Sequence, residues 1–196
     1  MSKPKRPVLP IMLDCETLSL DRHAAVIDIA LAPIGDFGSG KRWLITPSSY
    51  DCGGNFIRDA ETVAFHANNK SGIIEDAELT GHSWQRVAME LHAHLHDLTS
   101  QYEIHMWSQG KDFDFPLLEH FFAEAGLKTP WKYSHTHCLR DFAKFYPEVK
   151  RSWWGNHTAM KDVQAQVKHI KDLAAYSERF YNFLYGIDCT GVSEGE

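Results

Sequence analysis

Asp14 and Glu16 stand two residues apart at the end of an apolar run, residues 8–13. If that run is a strand, the two carboxylates share a face, because strand side chains alternate with period two. The run has the composition of a buried strand, and two acids at its end are unfavourable unless a partner neutralises them. Hard oxygen ligands of this kind suit a divalent cation such as Mg²⁺ or Mn²⁺. Cys15, between them, is expected on the opposite face as a small buried hydrophobe.

The same D-x-E-T string recurs at Asp59–Thr62, ahead of a helical pattern. Residues i and i+2 lie on nearly opposite sides of a helix. Asp59 and Glu61 therefore read as acids of a first helical turn, where they favour the helix dipole. The string carries metal chemistry only where a strand presents it.

Further acids must come from other segments. Asp112 and Asp114 precede Pro116, which is expected in the first turn of a helix, so either could cap while the other binds metal. Spacing alone leaves both open. His157 stands five residues before Asp162 at a loop-to-helix junction, where the acid could reach a metal and the histidine could deprotonate a water. The spacing is common: His23 with Asp28 and His92 with Asp97 repeat it inside regular elements, where the two residues diverge. His92, His94 and His96 resemble a metal tract, yet on a helix only His92 and His96 share a face, and a third ligand is missing.

The elements that must position these groups alternate. Strands are expected at 8–13, 23–32, 41–46, 103–107 and 133–138. Helices are expected at 60–70, 83–99, 116–125, 141–146 and 158–184. Three strands followed by alternating helix and strand predict an α/β fold, a mixed sheet flanked by helices with the first strand central. The 196 residues suit one domain, expected over 8–187, after a basic extension at 1–7 and before an acidic, disordered tail at 188–196. No run reaches the roughly 18 apolar residues of a membrane span, and no signal-peptide pattern opens the chain. Four scattered cysteines without a C-x-x-C fit a reducing cytoplasm, the expected location. The net charge of −6 argues against tight non-specific duplex binding. A short single-stranded end held by metals and stacking is compatible with it.

Taken in order, D-x-E-T at Asp14–Thr17, Phe113-Asp114 with Leu118, and His157 with Asp162 resemble the DEDDh 3′→5′ exonucleases of the RNase H-like superfamily. The resemblance selects Asp114 over Asp112 and spans about residues 8–180. Within the family, Trp107–Leu118 and Ala24–Asp28 look like small phage exonucleases and RNase AS-type exoribonucleases, which would place a phage-encoded protein in the host cytoplasm. One departure is Gln109-Gly110, where many members carry His-Asn. The resemblance implies a five-stranded RNase H-like sheet and two Mg²⁺ or Mn²⁺ ions held by Asp14, Glu16, Asp114 and Asp162. It implies His157 as the base, and release of nucleoside 5′-monophosphates from the 3′ end of single-stranded DNA or RNA. By similarity Thr17 and Leu18 would contact the terminal sugar and base, with Phe65 and His66 as further substrate contacts. Trp153 and Trp154 are expected in a loop that closes over substrate. The alternatives are a catalytically silent nucleic-acid-binding module and an RNase H-like endonuclease. The complete residue set disfavours the first, and the histidine disfavours the second.

Overall fold

The computed structural model describes residues 6–69, 71–151 and 157–185, apart from the side chain of Arg179. Residues 1–5 of the basic extension, Trp153, Trp154 and the tail at 188–196 lie outside the described residues. Five strands, β1 (Val8–Thr17), β2 (Val26–Pro33), β3 (Lys41–Leu44), β4 (Glu103–Ser108) and β5 (Thr136–Cys138), form one sheet in the order β3-β2-β1-β4-β5. β1 is central, antiparallel to β2 and parallel to β4. The fold is the expected mixed α/β sheet. Among the described residues, no helix is long and apolar enough to cross a membrane.

Strand alternation divides β1 between two cores. Ile11, Leu13 and Cys15 face α3 (Trp84–Gln101) and α4 (Lys111–Glu124), packing with Leu91, Leu95, Phe121 and Phe122. Met12 faces the other side, against Val163, Val167 and Ile170 of α6 (Ala159–Ala174). Asp14 and Glu16 share the parity of Met12, so both point toward α6. Ala30 and Ala32 of β2 are fully buried on that same face, and their small side chains let α6 approach the sheet.

Several boundaries differ from expectation: β1 runs on to Thr17, residues 133–135 form a 3-10 turn ahead of β5, and the helix expected at 141–146 covers Leu139–Ala143. Three further differences concern the helices. α4 begins at Lys111, five residues before Pro116. The Gly110 carbonyl accepts the amides of Phe113 and Asp114 at 2.9 and 3.3 Å, so the helix starts before the proline. Pro116 sits in the second turn, where its missing N–H removes one intrahelical bond. The last helix is two, α6 and α7 (Glu178–Leu184). Ser177 accepts the Phe180 amide at 3.2 Å and starts α7 as an N-cap. A short helix, α2 (Ile73–Thr80), was not expected, and its Leu79 is 83% exposed, which blurs the apolar stripe. The remaining helices are α1 (Ala60–Asn68) and α5 (Leu139–Ala143). Asp59 caps α1 by accepting the Thr62 amide at 2.7 Å, with Glu61 in the first turn.

Candidate active site

The four carboxylates converge at the end of β1. Asp14 and Glu16 come from that strand, Asp114 from the first turn of α4 and Asp162 from the first turn of α6. The early start of α4 separates the two aspartates that spacing left equivalent. Lying i and i+2 on a helix, they cannot face the same way. Asp114 is buried and Asp112 is exposed. The Cys15 amide donates to Asp114, tying α4 to β1 beside the other acids.

Burial and mutual repulsion govern these groups. Asp14 is pushed well above the usual carboxylate range, first by burial and then by the charges of Asp114, Glu16 and Asp162. Glu16 is pushed up to about 8, by burial and by Asp162 and Asp28. Asp114 rises to about 7 through burial, held back by the Ser108 hydroxyl and backbone amides. Asp162 is raised by burial, against the pull of His157. Glu16 and Asp162 approach each other closely, and burial raises both. Four acids gathered from three elements, each disfavoured as an anion, form a donor set that fits hard divalent cations.

His157 joins them. Its ring nitrogen and one oxygen each of Glu16 and Asp162 lie within 4.8 Å of one another. Its backbone is left-handed, with φ of 42°, a conformation that non-glycine residues adopt uncommonly and that turns the chain sharply into α6. Phe65 sets its ring edge against the imidazole, with centroids 5.2 Å apart and planes at 76°.

A cavity of about 820 Å³ opens beside Glu16, lined among others by Thr17, Phe65, His66 and Phe113. Phe65 is 47% exposed, while His66 is buried. His66 donates Nε2–H to the Thr17 carbonyl at 2.9 Å, and its Nδ1 is buried without a partner. The Thr17 hydroxyl donates to the Ser19 carbonyl at 2.6 Å. Leu18 packs into the core behind the cavity and does not line it.

Two supporting residues escaped sequence reasoning. Gln166 donates Nε2–H to Asp14 Oδ1 at 2.7 Å. It lies four residues after Asp162, hence on the same helix face, and that periodicity could have revealed it. Asp28 is the other. It is fully buried, accepts both Arg42 Nε–H and Nη2–H at 2.8 Å, and accepts the Ala159 amide at 2.9 Å. Thr158 makes no side-chain cap at α6, so Asp28 caps this helix from a distant strand. The contact fixes the helix that carries Asp162. Replacing Arg42 with methionine leaves the Asp28 carboxylate buried with only the helix end for company. The expected cost is about 2–3 kcal/mol, near the low end for a broken buried pair because Arg42 keeps 30% of its side chain in water. The urea midpoint should fall accordingly, and an unchanged midpoint would show that water replaces the guanidinium without penalty.

Residues 10–174 match the sequence profile of the Rv2179c-like 3′-5′ exoribonuclease domain. The chain belongs to this family of DEDD-type 3′-5′ exonucleases with an RNase H-like fold. None of the curated proteins compared with it matches at the sequence level. Among solved structures, the metal-free complex of Escherichia coli exonuclease I with single-stranded DNA superposes with a TM-score of 0.66 at 15% identity, over 91% of this chain and 42% of that one. The zinc-bound form of that complex gives 0.68 at 15%, over 91% and 43%. Exonuclease I of Methylocaldum szegediense gives 0.67 at 14%, over 91% and 43%. The chain thus spans less than half the length of these exonucleases, and at such identities the likeness is one of fold.

Proposed function

We propose that this protein removes nucleoside 5′-monophosphates from the 3′ end of single-stranded nucleic acid, with two divalent cations, Mg²⁺ or Mn²⁺, held by Asp14, Glu16, Asp114 and Asp162. The observation that carries this reading is the convergence of four mutually repelling acids and His157 around Glu16, which also lines the adjoining cavity. When bound, the ions supply positive charge that activates water and stabilises the leaving oxygen. Gln166 orients Asp14, and Asp28 holds α6 so that Asp162 faces Glu16. His157, beside Glu16 and Asp162, takes the proton of the attacking water. Thr17, Phe65 and His66 border the space for the terminal nucleotide, with exposed Phe65 able to stack on a base. Leu18 acts from behind, holding the wall of the cavity. The family description makes RNA the first substrate to try, and the exonuclease I complexes make DNA the second.

The test uses 5′-labelled single strands of RNA and DNA with Mg²⁺, Mn²⁺ or EDTA. The expected product is a ladder shrinking from the 3′ end that vanishes in EDTA. Cleavage that survives EDTA, or cutting of circular strands, would overturn the proposal. In the same assay His157→Gln should lower kcat by about 10²–10⁴-fold, the usual worth of a positioned base, with the Mg²⁺ requirement unchanged. A higher Mg²⁺ requirement would make His157 a metal ligand instead.

A further inference from the structure

A second set of ligating side chains lies at the far end of the sheet. Glu103 and His105 stand i, i+2 on β4, and His135 and His137 stand i, i+2 around the start of β5. Glu103 and His105 therefore present to one face, and His135, at the end of the 3-10 turn Tyr133–His135, stacks its ring beside His105; parallel pairing sets His137 opposite Trp107. One oxygen of Glu103, one nitrogen of His105 and one of His135 lie within 4.8 Å of one another. The Nε2 atoms of His105 and His135 approach the same Glu103 oxygen at 3.7 and 3.5 Å. His105 turns its other nitrogen, Nδ1, to His137 Nε2 at 2.8 Å. Phe183 of α7 covers His105 edge-on, with ring centroids 5.0 Å apart.

We propose that Glu103, His105 and His135 form a binding site for a zinc-class cation that clips the edge strand β5 to β4. Two imidazoles and one carboxylate are a ligand set that zinc accepts, with water in the fourth position. A hydrogen bond between two imidazoles requires a lone pair on one of them. With a cation between Nε2 and Glu103, donation by His105 Nδ1–H to His137 frees the Nε2 lone pair for the ion, which is how an outer partner fixes the tautomer of a ligating histidine. β5 has only three residues and pairs with β4 alone, so a clip at its start has little regular pairing to compete with. Lys132 lies near His105 and opposes a cation there with one charge, which Glu103 offsets. The His105 and His135 rings are nearly parallel, 12° apart with centroids at 4.2 Å. One ion cannot lie in both planes, so binding swings His135, at the end of its short 3-10 turn, out of the stack. Glu103 pairs with Val8, at the opposite end of β1 from Asp14. Five strand residues, about 17 Å, separate it from Ser108 beside the candidate active site. The ion is thus distinct from those proposed for catalysis.

The test titrates the full chain with Zn²⁺ by calorimetry in excess Mg²⁺, which occupies the hard oxygen site. In Asp14→Asn, one zinc per chain should still bind. In His105→Ala and in His135→Ala its affinity should fall at least about 10-fold, and the rise in melting temperature on adding zinc should vanish. Glu103→Gln, close in shape, carries the comparison if a histidine variant fails to fold. Histidine ring NMR signals should report the unstacking on zinc addition. Zinc uptake that disappears in Asp14→Asn and persists in the histidine and Glu103 variants would overturn the proposal, as would the absence of any uptake by the unaltered chain.

Discussion

Asp14→Asn is expected to cut exonuclease turnover by at least about 10³-fold, some 4 kcal/mol of transition-state stabilisation, and at pH 8 in EDTA to raise the melting temperature. The two effects share one cause. Asp14 is held among Asp114, Glu16 and Asp162 in a site that disfavours its anion. Asparagine keeps the oxygen that accepts from Gln166 but removes the charge, so the metal-free fold loses a repulsion. A gain of a few °C corresponds to about 1 kcal/mol for a domain of this size. Activity assays beside thermal melts check both signs. A variant that is inactive because it is misfolded melts earlier, so lost activity with a lowered melting temperature would refute this account.

The second large effect concerns pH. Glu16 binds its proton up to about pH 8 and Asp114 to about pH 7, against 4.5 and 3.8 for the free side chains. Through that window the folded state holds more protons than the unfolded chain, so stability falls as pH rises. Stability from these groups is complete below about pH 4 and is lost progressively toward pH 8. His137, which burial takes down to about 4 from 6.5, acts in the opposite direction between those values. The clean interval is therefore above pH 6.5. In EDTA the urea stability should drop between pH 6.5 and 8 by about 1 kcal/mol or more. Saturating Mg²⁺ or Mn²⁺ should flatten the profile, because a bound cation replaces the proton as the neutralising partner. Identical profiles with and without the cation would mean that the acids do not bind it.

These effects rest on positions that were legible to different degrees. Asp14 and Glu16 could be paired from the apolar run and the period of a strand. Asp114 could be chosen over Asp112 only through resemblance, because Pro116 disguised where α4 begins; the helix start at Lys111 makes the choice physical. The break between α6 and α7 was hidden because neither glycine nor proline marks it, and Ser177 ends one pattern and caps the next. Glu103 with His105 on β4, and His135 ahead of β5, carry no signal in the sequence, because neither segment shows a ligand set until the two strands align.

The sequence by itself determined that Asp14 and Glu16 face one way, that Cys15 faces the other, and that Asp59 starts a helix. Each follows from backbone geometry acting over a few residues. Only the tertiary structure decided that Asp28 would cap a helix 131 residues away, that Gln166 would hold Asp14, and that Glu103 would meet two histidines. Those contacts are set by which faces the core brings together, and strand pairing and helix packing join segments whose local patterns carry no record of their partners.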